Sequence, residues 1–258
     1  MPRRRRTSSR RKRWARRVWG ALAIVAAIAV VALVYVAATW PDVGSLANTN
    51  PTTTAFIERY RASQREQGLP DRVAWEWVGT SVVSPHLKRA VVSAEDMEFF
   101  QHNGFSKAEL QAALKEALES GEAPRGASTI TQQLAKNLWL SPSRTVLRKL
   151  KEAMLTWQLE RHLTKRRILE LYLNVVEFGP GVYGAEAAAQ RYFGAPASAL
   201  SEHEAAQLAA GLPRPRRWHP GVDSPYYRSY IEEIQRRMDV AEFLWRYVGG
   251  ERTSPPAP

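Results

Sequence analysis

Glu95 closes an apolar run, Val91-Val92-Ser93-Ala94, which would leave its carboxylate at a helix end beside the core. Aromatics and a histidine follow at short spacing in Glu95-Asp96-Met97-Glu98-Phe99-Phe100-Gln101-His102-Asn103-Gly104-Phe105. A second stretch, Arg125-Gly126-Ala127-Ser128-Thr129-Ile130-Thr131-Gln132-Gln133-Leu134-Ala135-Lys136-Asn137, carries hydroxyls, two amides and a lysine. A second carboxylate, Glu152, follows 57 residues after Glu95, beside Arg144, Arg148, Lys149 and Lys151. Glycosyl transfer from a diphosphate donor needs a base for the attacking hydroxyl and fixed positive charge facing the leaving oxygen, and these residue types supply both. A hydrolase would need no such cations. Each glutamate alone is unremarkable, and Glu152 one turn after Arg148 also fits an ordinary mixed-charge surface helix.

Helices must position these groups. Leu87 to Phe99 carries Leu87, Ala90, Val91 and Ala94 at the i, i+3, i+4, i+7 spacing of a buried face. Ser106-Lys107-Ala108-Glu109 is a capping box that opens a helix over Lys107 to Ser120, with Gly121 closing it. Ser128 to Leu138 reads as the next helix. Ser141-Pro142 then opens one that runs to His162, with the apolar stripe Leu147, Leu150, Met154, Trp157 and with Glu152 off that stripe. Thr164 caps a helix to Leu173, and Ser201-Glu202-His203-Glu204 is a capping box before Ala205 to Gly211. Upstream, Phe56 to Gln67 reads as helix, while Trp75-Glu76-Trp77-Val78 and Ser81-Val82-Val83 read as short extended pieces. Helices with short connections and few strand signals imply a mainly α domain.

The chain has no cysteine, which excludes disulfides and thiol-based metal or redox sites. Its formal net charge is +12, but ten of those charges lie in Met1 to Arg17, which leaves +2 for the rest and argues against nucleic acid as a partner. From Val18 to Trp40 no residue is charged, and about twenty apolar positions are what a bilayer-spanning helix requires. Trp19, Tyr35 and Trp40 lie near the ends of that run, where aromatic rings favour the headgroup region, and Pro41 stops it. The positive-inside rule then predicts a cytoplasmic N-terminus and an exported domain. A cleaved signal peptide ending near Val36-Ala37-Ala38 is the rival reading, against which stands an apolar run longer than the usual roughly 7 to 15 residues. The expected organisation is a basic cytoplasmic tail over 1–17, a transmembrane helix over 18–40, a juxtamembrane linker over 41–80, one domain over 81–250 and a disordered tail over 251–258.

Several patterns carry no chemistry. Gly179-Pro180-Gly181-Val182-Tyr183-Gly184 satisfies a dinucleotide pattern without a surrounding βαβ unit, and is read as a tight loop before a helix. His203-Glu204-Ala205-Ala206-Gln207 has glutamine where a zinc protease needs its second histidine. His102 is read as a hydrogen-bonding partner that shapes the loop after Glu95. Trp75, Trp77 and Trp139 could stack on sugars, although burial is the simpler reading for each.

In order along the chain, these segments resemble the five signature motifs of the peptidoglycan glycosyltransferases of glycosyltransferase family 51, related to the glycosyltransferase domain of class A penicillin-binding proteins. Glu95, Asp96, Phe99, His102, Gly104 and Phe105 match the first motif. Gly126, Ser128, Thr129, Thr131, Gln132, Gln133, Lys136 and Asn137 match the second. Arg148 to Glu152 resembles the third and Lys165 to Asn174 the fourth, while Gly181 to Ala189 with Tyr192-Phe193-Gly194 resembles the fifth. Ala127, where many members have glycine, and Met97, where a polar residue is common, depart without removing a reacting group. The resemblance implies a lysozyme-like fold and a monofunctional enzyme of cell wall biogenesis and cell shape, single-pass in the inner membrane with its domain in the periplasm. It implies that lipid II is polymerised by inverting transfer with release of undecaprenyl diphosphate. Glu95 would be the base and Glu152 its assistant, and the substrate would meet Asp96, Phe99, His102, Ser128, Thr129, Gln133, Lys136, Asn137, Arg144 and Arg148. No cofactor is required; a divalent cation, Mg or Mn, bridging a carboxylate and the diphosphate is chemically reasonable, without a dedicated ligand cluster. Protein partners are to be sought in the divisome or elongation complex. Only 38 residues follow Pro220, so no fused transpeptidase is expected. The alternatives are a membrane-anchored muramidase or lytic transglycosylase, and a non-catalytic scaffold that kept the fold.

Overall fold

The computed structural model describes residues 7–106, 111, 128–143 and 145–249, in two compact units, Met1–Asp42 and Val43–Pro258. The first unit holds one helix, α1 (Thr7–Ala38), of 32 residues. Leu22, Ile24, Val25, Ile28, Val30, Val31 and Val34 are all exposed, and at 100° per residue they point to every side of it. Counted over the described residues alone, no helix is long and apolar enough to cross a membrane.

The second unit begins with a short 3-10 turn, Gly44–Ala47, and α2 (Ala55–Glu66), capped by Thr54, whose hydroxyl accepts from Ile57 N at 3.1 Å. Leu46, Thr54 and Ile57 are buried, so much of the stretch expected to be a linker packs into this unit. Strand β1 (Ala74–Trp75) follows, then α3 (Pro85–Glu95), with Pro85 in the first turn behind the Ser84 cap. Next come α4 (Ile130–Trp139), α5 (Val146–His162) and α6 (Lys165–Val175). Strands β2 (Glu177–Gly179) and β3 (Val182–Tyr183) form a hairpin, and β1 joins β3 in parallel to give the order β1-β3-β2. Helices α7 (Ala185–Phe193), α8 (Glu202–Gly211), α9 (Pro225–Val240) and α10 (Trp245–Val248) complete the unit. Gly184, at the N-cap of α7, has φ +82, and a Cβ there would meet Asn174 O at 2.8 Å, so only glycine fits.

Helix α3 packs against α8 and α9, and α4 packs against α5 and α6. The fully buried Leu87, Val91, Leu134, Leu155, Ile168 and Ala206 come from five of these helices and form the core that holds their ends in place. The expected mainly α character holds.

The structure corrects several expectations. Helix α3 stops at Glu95 rather than Phe99, because Asp96 adopts φ −168 and ψ 78 and turns the chain out of the helix. Helix α5 starts at Val146 with Thr145 as its cap, whereas the hydroxyls of Ser141 and Ser143 bond each other at 2.7 Å. Residues Ser81 to Val83 form a turn closed by Val82 N to Gly79 O at 2.9 Å, not an extended piece. The stripe Leu147, Leu150, Met154, Trp157 is exposed, and the opposite face, Glu152, Leu155, Thr156 and Leu159, is buried. The expected helix over Lys107 to Ser120, residue 111 apart, the expected substrate contact Arg144 and the tail 251–258 lie outside the described residues.

Candidate active site

Glu95 is the last residue of α3, so its side chain leaves the helix where the backbone turns away. Gln133 Nε2, from α4, donates to Glu95 Oε2 at 2.6 Å and to Ser128 O at 3.2 Å. The Tyr172 hydroxyl, from α6, donates to Gln133 Oε1 at 2.9 Å. These three bonds fix the amide: flipped, its oxygen would face a carboxylate and a carbonyl. Burial pushes the Glu95 carboxyl above its ordinary range and neighbouring Asp96 adds to that, against the Gln133 hydrogen bond, Lys136 and Arg237.

Asp96 anchors the loop that follows. Its Oδ2 accepts from Ile130 N at 3.0 Å, at the positive end of α4, and its Oδ1 lies 2.8 Å from His102 Nε2. His102 Nδ1 accepts from Gly104 N at 3.1 Å, so the proton sits on Nε2, which donates to Asp96. Gly104 has φ +83, and a Cβ there would strike Thr156 Cγ2 at 2.7 Å and Glu160 Cγ at 2.9 Å. Thr129 donates to Gly104 O at 2.8 Å while capping α4 through a capping box with Gln132.

Glu152 sits on the buried face of α5, 2 % exposed, and pairs with both Arg148 and Lys149 on its own helix. Lys136, on α4, is near enough to both glutamates for each to act on its charge. Burial holds its ammonium below the usual lysine range, countered by Glu152 and Glu95 and reinforced by Arg148 and Lys149. Two carboxylates thus act on one lysine, and two more cations pair with Glu152. Such a site can take a proton at one pole and stabilise negative charge at the other.

The structure gathers Glu95, Gln133 and Lys136 from α3 and α4 with Glu152 and Arg148 from α5. Ser128 contributes its carbonyl to Gln133, and buried Asn137 lies on α4 directly after Lys136. Asp96, Phe99 and His102, expected at the substrate, lie at the end of α3 and in the loop after it, and Thr129 caps α4. Phe99 is fully buried beneath Lys165, whose Nζ lies 4.5 Å from the ring centroid, and the other three spend their polar atoms on the loop. Trp75, Trp77 and Trp139 are half-buried, and Trp75 Nε1 donates to Asn174 O at 2.7 Å. Sequence reasoning missed Tyr172 as a partner of Gln133. It lies one helical turn before Val176 in a run that reads as plain core, and only its phenolic oxygen signals a buried hydrogen bond.

A family model described as Transglycosylase matches residues 62–241 of this chain. Three similar proteins each bear the name biosynthetic peptidoglycan transglycosylase. The protein from Azoarcus sp. (strain BH72) is 48% identical over 194 residues, covering 75% of this chain and 83% of its own. That from Laribacter hongkongensis (strain HLHK9) is 46% identical over 190 residues, covering 74% and 83%. That from Nitrosospira multiformis is 44% identical over 192 residues, covering 74% and 84%. With the matched region containing α3 to α9 and both glutamates, this chain belongs to the transglycosylase family.

Proposed function

We propose that this chain is a peptidoglycan glycosyltransferase that polymerises lipid II into glycan strands. The observation that carries the reading is the buried Glu152 paired with Arg148 and Lys149, together with Glu95 at the end of α3, both acting on the charge of Lys136. Glu95 takes the proton from the acceptor's 4-hydroxyl, whose oxygen attacks the donor's anomeric carbon. The bond from that carbon to the diphosphate breaks, and Lys136, Arg148 and Lys149 hold the charge that leaves on the lipid diphosphate. Direct attack inverts the anomeric carbon and needs no nucleophilic residue. A lytic enzyme would use the acid alone and leave the cations without a task, and the names of the relatives point the same way. Purified full chain in detergent with labelled lipid II should yield a ladder of polymers, and chelator titration in the same assay reads any share taken by Mg or Mn. Cleavage of preformed peptidoglycan without polymer would transfer the chain to the lytic class.

The membrane reading rests on the whole sequence from Val18 to Trp40, which is free of charge, and on α1, whose apolar side chains need an apolar surrounding on every side. The basic segment before it sets the N-terminus in the cytoplasm and the site in the periplasm. On α5, Val146, Leu147, Leu150, Met154 and Trp157 are each more than half exposed, with Arg161 5.3 Å over the Trp157 ring. An apolar helix face edged by a cation and a tryptophan suits the bilayer surface, where a polyprenyl substrate resides. Alkaline carbonate should leave the full chain in the membrane pellet; its release into the supernatant would overturn the span.

Tyr172→Phe should lower turnover several-fold, up to about tenfold, the worth of one hydrogen bond between neutral groups. The Gln133 bond favours the ionised carboxylate, so loosening it raises the Glu95 pKa, and a base that must be ionised then works only at higher pH. Lys136 from α4, Arg237 and Tyr230 from α9 and neighbouring Asp96 also face Glu95 and stay in place. The acidic limb of the pH–rate profile should therefore move upward. An unmoved limb at unchanged melting temperature would mean that Gln133 holds its place without the hydroxyl.

A further inference from the structure

Away from the paired glutamates, a half-open cavity of about 330 Å³ lies between the start of α3, α6 and α10. Lys88, Arg166, Thr80 and Ser81 line it, as do the aromatic Phe100 and Tyr247. Those two rings stack 4.5 Å apart at 6°. Lys88 is 6 % exposed, and among the described residues Nζ bonds Thr80 O alone, at 3.1 Å, which leaves two of its three donors without a partner there. Among the described residues neither Lys88 nor Arg166 has a carboxylate within ion-pair distance. Glu170 accepts from Thr80 N and Oγ1 at 2.9 and 2.6 Å and pairs with Arg167, so its charge is engaged elsewhere.

A buried ammonium without a counter-charge is costly, and a second cation beside it adds to that cost. Burial, with Arg166 reinforcing it, holds the Lys88 ammonium below the usual lysine range. An arriving anion would relieve both charges at once.

We propose that this cavity is a binding site for an organic carboxylate with an apolar body, its oxygens on Lys88 and Arg166 and its body against Phe100 and Tyr247. Two cations and a hydroxyl-bearing turn would take the two carboxylate oxygens, as in the capture of a peptide's terminal carboxylate. The stacked ring pair would add apolar contact that a bare oxyanion cannot use. A cavity of this size admits a ligand of one or two amino-acid residues. The site does not depend on the transferase reading and is tested without activity.

The test is thermal unfolding of the full chain in detergent at constant ionic strength, with N-acetylphenylalanine, its amide, or inorganic phosphate. The acid should raise the melting temperature with a dependence on log concentration, because a ligand that binds only the folded state stabilises by mass action. The amide should not, and phosphate should act only at higher concentration. Lys88→Met and the exposed Arg166→Met should each weaken the response to the acid by about tenfold in concentration, the loss of one charge-assisted hydrogen bond. Arg166→Met keeps the test decisive should Lys88→Met fail to fold. Equal shifts from acid and amide, an undiminished response in Arg166→Met, phosphate matching the acid, or no shift with any probe would each overturn the proposal.

Discussion

Glu95→Gln should abolish polymerisation while leaving the chain folded and more resistant to heat at neutral pH. Glutamine is nearly isosteric and can still accept from Gln133 Nε2, but it cannot hold the proton of the attacking hydroxyl. A general base contributes about 10²–10⁴ in rate, so polymer formation should fall by at least about a hundredfold. Stability should move the other way. The Glu95 carboxyl is held above its ordinary value near 4.5, chiefly by burial, so above that value its ionisation works against the folded state. Glutamine removes that penalty; the gain should be absent below the unfolded carboxyl's pKa and develop as pH rises through the folded one. Melting curves at low and neutral pH, beside polymerisation assays at both, separate the two effects. Activity within tenfold of wild type would remove Glu95 from the chemistry, whatever the melting curves show.

The helices were readable because local signals agreed with packing. Ser201 and Glu204 form the expected capping box, and Thr164 caps α6 as its position predicts. The helix that carries Glu152 was found, but its orientation was not. Its apolar residues fall on two faces, and periodicity favours the more hydrophobic, Leu147 to Trp157, although Glu152, Leu155, Thr156 and Leu159 face inward. A stripe shows that a face needs an apolar partner, and lipid is as good a partner as protein. Which residues hold the loop after Glu95 was only partly legible. The His102 bond to Gly104 N is local, two residues along the chain, whereas the Asp96 bond to Ile130 N depends on how α3 and α4 meet. Helix α9 was missed although Tyr227, Ile231, Ile234 and Met238 recur at helical spacing behind Ser224-Pro225, a cap and proline that could have announced it.

Glu152→Gln tests the other pole and should give a different signature. Its carboxylate pairs with Arg148 and Lys149 and supports the charge on Lys136. Without it the cluster becomes more positive, so the diphosphate substrate should bind as well as before or better. Turnover should nevertheless fall by about a hundredfold, the scale set by removing one preorganised electrostatic group. Lys136, already pushed down by burial, loses an opposing charge and should drop further. A lysine that must be charged to hold the leaving diphosphate then fails at lower pH, so the basic limb of the pH–rate profile should move downward while the acidic limb, set by Glu95, stays. Breaking a buried ion pair can also cost about 3–5 kcal/mol, so each variant's melting temperature accompanies its kinetics. A lower melting temperature with an unmoved basic limb would make Glu152 a clamp for Arg148 and Lys149 only. Loss of turnover with a displaced basic limb and undiminished substrate affinity would assign it to the diphosphate end of the reaction.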